Sequence, residues 1–299
     1  MKIAIASGKG GTGKTTISVN LASMIAQKLN REVTLVDLDV EEPNSGLFLS
    51  TNFIEEKDVT VMVPKWDAEL CDHCGVCNNI CAFNALVGLK KSVLIFPELC
   101  HNCNLCSDFC PQDALPMLPK KIGKVTKFKK DNLTFIEGRL NIGIEQAVPL
   151  IKATKRYAEN LKINPTRDEK RGEKNNINKE KQDRLIIFDA PPGTSHPVME
   201  SVAGMDLILL VSEPSPFGLN DLILAVETMK TLKKKVAVII NRATEEFTKI
   251  KEYCKKENID LITEIKDDKE LAKLYSSGSL IYDKIDKELN DIYQYIIET

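Results

Sequence analysis

The chain lacks the features that would place it in a membrane or mark it for export. No apolar run approaches the about 18 residues of a membrane span. The opening Met1-Lys2-Ile3-Ala4-Ile5-Ala6-Ser7-Gly8 is shorter than the roughly 7–15-residue apolar stretch of a signal peptide. Neither charge sign is in excess. The 41 basic and 43 acidic residues leave a net charge of −2, which removes the electrostatic ground for nucleic-acid binding or a basic membrane-surface role. Cysteine is nearly absent from most of the chain, with one, Cys254, in 259 positions, against eight between Cys71 and Cys110. Disulfides of a secreted protein would not bunch in this way, so a metal or cluster site in a reducing, cytoplasmic setting is expected.

The 299 residues are enough for about two domains, and chain order separates two kinds of segment. Lys2 to Ser7 is a β-rich run. After a glycine-rich turn, Ile17, Leu21, Met24, Ile25 and Leu29 recur at helical spacing over about 15–29. Val33–Asp37 completes a strand–helix–strand unit, and with it a parallel sheet is expected. Leu185–Asp189, Leu207–Val211 and Val236–Ile240 read as strands buried on both faces, with helices around 219–232, 247–256 and 268–275. The expected organisation is one α/β domain, residues 1–59 and 120–299, interrupted by a cysteine-bearing insertion at 60–119; three units in series is the rival. Ile163–Arg184 carries twelve charged residues in 22 and is expected as a mobile loop. Lys120–Lys130, with six lysines in eleven residues, is expected as a solvated hairpin, or else as a steering patch for an acidic partner.

The turn Gly8-Lys9-Gly10-Gly11-Thr12-Gly13-Lys14-Thr15 fits both the phosphate-loop pattern and the dinucleotide pattern G-x-G-x-x-G, with Asp37 and Asp39 near the ribose-acid spacing of the latter. Three features favour the phosphate loop. Lys14 is placed to reach β/γ-phosphates, Thr15 offers a hydroxyl to Mg²⁺, and the distal strand Leu185-Ile186-Ile187-Phe188-Asp189 ends in a carboxylate. The glycines let successive N–H groups face anionic oxygens, and the helix N-terminus at Lys14–Thr16 adds partial positive charge.

These residues resemble the deviant phosphate loop of the MinD/ParA/Mrp ATPases. The resemblance runs through Lys9-Gly10-Gly11-Thr12-Gly13-Lys14-Thr15-Thr16, Val36-Asp37-Leu38-Asp39, Asp189-Ala190-Pro191-Pro192-Gly193, Val211-Ser212-Glu213-Pro214 and Ile240-Asn241-Arg242. It implies a MinD-like fold, a mostly parallel sheet flanked by helices, working as a nucleotide-dependent homodimer. It further implies that Lys14 binds the β/γ-phosphates, Thr15 binds Mg²⁺, Asp189 holds Mg²⁺ through water, and Asp39 positions the attacking water at the metal. Lys9 completes the partner's site in trans, Asp37 can share the metal shell, and Asn241, with Arg242 beside it, reads adenine. Lys266-Asp267-Asp268 departs from the family, whose members usually carry a proline before the acid there.

Cys71-x2-Cys74-x2-Cys77-x3-Cys81 and Cys100-x2-Cys103-x2-Cys106-x3-Cys110-Pro111 each follow the bacterial ferredoxin run, with Ala82 in place of the first proline. Two copies imply an inserted small α+β ferredoxin-like domain with two [4Fe–4S] clusters. The fourth cysteine of such a run serves the other cluster. Cys71, Cys74, Cys77 and Cys110 are therefore expected at one cluster, and Cys100, Cys103, Cys106 and Cys81 at the other. Zinc knuckles do not require this repeated third and fourth cysteine. Cys254 is expected as a packing or surface thiol. His196 is expected in a packing role, with a redox contact as the sharper possibility.

Together these features lead to a dimeric ATP-dependent switch coupling nucleotide state to electron transfer with a redox or metalloprotein partner. The alternatives are a cluster-assembly or carrier ATPase, and a positioning ATPase with a cluster sensor. The last would need a membrane-surface helix, and the C-terminal stretch Ile285–Ile297 has helical spacing without a basic face, so it is expected against the sheet.

Overall fold

Short, continuous apolar runs in the sequence become the middle of one twisted sheet, because only strands covered on both sides tolerate such runs. The computed structural model describes residues 1–161, 184–244 and 246–299. Apart from Arg184, the charged segment expected as a loop lies outside them.

The strands are β1 (Lys2–Ala6), β2 (Val33–Asp37), β3 (Asn52–Pro64), β4 (Leu86–Leu89), β5 (Ser92–Ile95), β6 (Met117–Lys130), β7 (Leu133–Leu140), β8 (Leu185–Asp189), β9 (Leu207–Ser212), β10 (Val236–Ala243) and β11 (Asp260–Lys266). The helices are α1 (Lys14–Gln27), α2 (Val76–Ile80), α3 (Leu105–Asp108), α4 (Ala147–Glu159), α5 (His196–Val202), α6 (Pro216–Thr231), α7 (Lys249–Glu257), α8 (Lys269–Ser276) and α9 (Asp286–Glu298).

The main sheet runs β11-β10-β9-β1-β8-β2-β7-β6-β3. Every pairing from β11 to β7 is parallel, and β6 is antiparallel to both β7 and β3. One face is covered by α1 and α9, where Ile17, Leu21 and Met24 meet Leu289, Ile292 and Ile296. The other is covered by α4, α5 and α6, where Leu150, Ile151, Val198, Val202 and Val226 are buried. The apolar face of α9 is thus spent on the core, as its spacing predicts. No helix among the described residues is long and apolar enough to cross a membrane.

The cysteine segment leaves this sheet by a ribbon. β3 and β6 pair from Asn52↔Lys129 to Pro64↔Met117, whereas β6 pairs β7 only from Lys130 back to Gly123, opposite Leu140 at the end of β7. Residues 117–122 and their β3 partners therefore project past the sheet and carry 65–116 at their tip. They leave from the end of the sheet where the parallel strands finish, the end at which such sheets bind ligands.

The lysine run is not a hairpin in itself. It is one strand, β6, whose hairpin is made with β7 across Asp131–Asn132. Ile122, Val125 and Phe128 recur every three residues, without the two-residue alternation that announces a strand, and the segment becomes one through its pairing with β3 and β7. β3 neutralises much of its charge: Lys121 pairs with Asp58, Lys124 with Glu56 and Lys127 with Glu55. Exposed pairs of this kind contribute roughly 0–1 kcal/mol each, so they register the ribbon more than they stabilise it.

Candidate functional site

Between β1 and α1 the chain turns through left-handed backbone at Gly11 (φ 76°) and Gly13 (φ 95°). At Gly13 a Cβ would lie 2.2 Å from Nδ2 of Asn241, so only glycine lets the loop approach the end of β10 this closely. The Asn241 amide donates to the Thr12 carbonyl at 2.8 Å. One of its two N–H donors is therefore engaged in shaping the loop.

Lys14 folds back into the loop, nearly buried, and donates to Ser7 Oγ at 3.0 Å. Burial lowers its pKa, while Asp189 and Asp39 pull it back up. A desolvated cation facing two carboxylates inside a ring of backbone amides is arranged for a polyanion and its metal.

The carboxylates come together through strand order. β8 lies between β1 and β2, in register Ile5↔Asp189 and Asp37↔Asp189. Asp37 is fully buried and accepts backbone N–H bonds from Asp39 (3.0 Å), Asn44 (3.1 Å) and Ser45 (3.0 Å). It holds the loop that carries Asp39, so its oxygens are committed to backbone N–H groups and not to a share of the metal shell. Burial raises its pKa.

Asp189 Oδ2 accepts from Ser45 Oγ at 3.3 Å, and Oδ1 is buried without a partner. An orphaned buried carboxylate oxygen is costly unless a water or ion completes it, and this atom fits the edge of a hydrated Mg²⁺. Burial first, and Asp37 second, push Asp189 up to about 7, against Thr15, Lys14 and Ser18. Asp39 is pushed up to about 6 by burial and Asp37, opposed by Lys14. Mg²⁺ usually takes only one or two carboxylates and keeps water and phosphate oxygens for the rest. The modest donor set here suits it.

Lys9 is ion-paired within its own chain to Glu213, whose other oxygen lies 3.8 Å from Arg242. Glu213 belongs to a motif read from the sequence but received no role there. Ser45 and the stacked pair Phe48–Tyr275 (centroids 4.3 Å apart), which brings α8 over the loop after β2, carried no sequence signal at all. Asp268, where the sequence departs from the family, caps α8 by accepting from Glu270 N at 2.6 Å and Leu271 N at 3.3 Å. His196 is exposed at the first residue of α5.

The cysteine segment repeats itself structurally with an offset of 29 residues, from 71–85 to 100–114. Left-handed backbone at His73 and Gly75 recurs at Asn102 and Asn104, and that at Asn84 recurs at Asp113. α2 and α3 start at matched positions. Ala85 N donates to Cys81 Sγ at 3.3 Å, and Ala114 N donates to Cys110 Sγ at 3.2 Å.

One cavity, of about 140 Å³, is lined by Cys71, Cys74, Cys77 and Cys110. A second, of about 20 Å³, is lined by Cys81, Cys100, Cys103 and Cys106. The fourth thiol of each run thus stands with the first three of the other. Among the described residues no three His, Cys, Asp or Glu side chains converge on a single ion position.

Burial, followed by neighbouring thiols or ahead of them, raises the pKa of Cys77 and Cys100 and takes Cys106 to about 11. As free thiols these groups are protonated, and a metal must displace the protons. Cys254 stands apart, buried in α7 with a thiol pushed up to about 11 by burial, a packing residue.

The family model for the CobQ/CobB/MinD/ParA nucleotide binding domain matches residues 3–281. Two uncharacterized proteins of Methanocaldococcus jannaschii, MJ0579 and MJ0578, are 28% and 31% identical to the chain. Each alignment spans 81% of the chain, and they span 80% and 78% of the respective relatives. Among solved structures, the MinD cell division protein of Aquifex aeolicus superposes with a TM-score of 0.54 at 18% identity, over 100% of this chain and 97% of that one.

Proposed function

Since the chain belongs to the CobQ/CobB/MinD/ParA nucleotide-binding family, we propose that it hydrolyses ATP as a nucleotide-dependent homodimer and couples that cycle to electron transfer with a partner protein. The observation that carries the redox half is the pair of crossed thiol quartets at the tip of the β3–β6 ribbon. Bound there, two [4Fe–4S] clusters would supply one-electron chemistry. Four thiols close each site, which supports retention of a cluster over its donation to a client.

At the nucleotide end, the loop amides from Gly8 to Gly13 and the Lys14 ammonium bind the phosphates. Thr15 and Asp189 hold the metal, and Asp39 orients water. Lys9, once released from Glu213, neutralises charge developing on the phosphoryl group in the facing protomer's site. Positioning and electrostatics are what phosphoryl transfer asks of a protein, and these residues offer both.

Anaerobic reconstitution followed by EPR of the reduced chain, with and without ATP-Mg, tests the reading. About eight irons per chain and a spectrum that responds to nucleotide are expected. Tightly bound zinc, or ATP turnover indifferent to cluster oxidation state, would sink it.

A pH dependence follows from Asp189. Its raised pKa means that below about 7 the carboxyl is protonated, and Mg²⁺ must expel that proton to bind. Lowering the pH from 8 to 6 should therefore raise the Mg²⁺ midpoint for ATP binding about tenfold. Mg²⁺ titrations at the two pH values measure this directly, and equal midpoints would place the metal elsewhere.

A further inference from the structure

The two thiol quartets are near-copies of one another, but among the described residues only one is tied by side-chain hydrogen bonds to the nucleotide-binding body. Gln146 stands at the residue before α4, where a short polar side chain would ordinarily cap the helix. Its side chain caps nothing. It reaches out instead, and Nε2 lies 2.8 Å from the Cys100 carbonyl, 3.2 Å from that of Pro97 and 3.4 Å from that of Glu98. An amide has two N–H donors for these three acceptors, so it clamps the turn leading into Cys100.

Further along the same helix, the nearly buried Lys155 donates to the carbonyls of Glu200 at 2.5 Å and Ala203 at 2.7 Å, at the C-terminal end of α5. α5 follows directly on Asp189–Gly193. Gly193 N in turn donates to the Ser7 carbonyl at 3.1 Å, and the Ser7 hydroxyl receives Lys14. Hydrogen bonds, the short stretch from Gly193 into α5, and the two helices α5 and α4 therefore connect the phosphate loop to Cys100.

Among the described residues the first quartet has no such link. Its loop is held by Cys74 N to Asp72 Oδ1 at 3.1 Å, Gln112 Nε2 to Asp72 Oδ2 at 3.3 Å and Gly88 N to Asn78 Oδ1 at 3.2 Å, and all of these partners lie within the cysteine segment.

We propose that α4 is the coupling strut of the molecule: nucleotide state is transmitted through Gln146 to the Cys81/Cys100/Cys103/Cys106 site and leaves its pseudo-symmetric twin unaffected. Gln146 is a positioning residue. It touches neither nucleotide nor thiol, and it acts through the backbone that carries Cys100. The inference rests on the ATP-binding reading above and adds to it which of the two sites responds. Contiguous networks of this kind are a physical route by which distant sites bias one another.

Hydrogen–deuterium exchange on the reconstituted full chain, with and without ATP-Mg, provides the test. In the wild type, ATP-Mg should slow exchange at 8–16 and alter it at 98–103, leaving 72–77 unchanged. Gln146→Leu, which keeps the volume and removes the donors, should retain the response at 8–16 and lose the one at 98–103. Protection at 8–16 with 98–103 indifferent, or with 72–77 responding equally, overturns the proposal on the wild type alone, before any variant is considered. So does a response at 98–103 that survives in Gln146→Leu. If 8–16 itself ignores ATP, the ATP-binding reading fails and takes this inference with it.

Discussion

Cys110→Ser is expected to remove the cluster proposed at Cys71, Cys74 and Cys77 and to spare the one proposed beside Cys100, Cys103 and Cys106, although Cys110 ends the second run. The reason is geometric: Cys110 lines the first cavity and Cys81 the second. A serine hydroxyl does not ionise near neutral pH as a thiol can, so the quartet falls to three thiolates, and the Ala114 N–H that faced sulfur faces a hydroxyl oxygen instead. Iron content should fall by about half. Cys81→Ser should give the mirror result, loss of the other cluster. EPR separates the two because the surroundings differ. Phe83 stacks on His101 with ring centroids 3.6 Å apart beside the second cavity, whereas Asp72, His73 and Gln112 line the first. Loss of the second cluster in Cys110→Ser would show that each run closes on itself.

Lys9→Ala is expected to slow ATP turnover by about 10³-fold or more, the order seen when a transition-state cation is withdrawn from a phosphoryl-transfer site. Nucleotide binding should persist, because Lys14 and the loop amides remain. In the single chain Lys9 is held by Glu213, with Arg242 near the same carboxylate. In the role proposed above, Lys9 must leave that pair to reach a partner's nucleotide, so Glu213 would compete with the dimer for Lys9. Glu213→Gln should accordingly lower the ATP concentration needed for dimerisation, and Lys9→Ala should abolish ATP-dependent dimers. Light scattering with hydrolysis arrested, alongside steady-state rates, measures both. Wild-type turnover in Lys9→Ala would mean that one chain holds a complete site.

The legible parts of this protein were those written in short windows. β1, β2, β8, β9 and β10 announced themselves as apolar runs, and α9 by its spacing. β3 did not, because its first half, Asn52–Asp58, is exposed and charged and reads as loop until β6 supplies the partner. α4 was missed even though its apolar positions are buried, since nothing in its neighbourhood marks a start: Gln146 is not a capping residue, and the helix lacks acidic residues in its first turn. Ser45, Glu213 and Gln146 have their roles only through residues 144, 204 and 46 positions away.

The sequence by itself determined the phosphate loop, the two ferredoxin-type runs and the strand that ends in Asp189. Each depends on spacing within a few residues, where backbone geometry leaves little choice. Tertiary structure alone decided that β8 enters between β1 and β2 and so sets Asp189 beside Asp37, and that Glu213 captures Lys9. It also decided that the ribbon carries the thiols to the nucleotide end of the sheet and that Gln146 reaches only one of the quartets. The physical reason is the same in each case. Which strands pair, and which helix covers them, is settled by burying both faces of the sheet at once, and no single stretch of chain contains that condition.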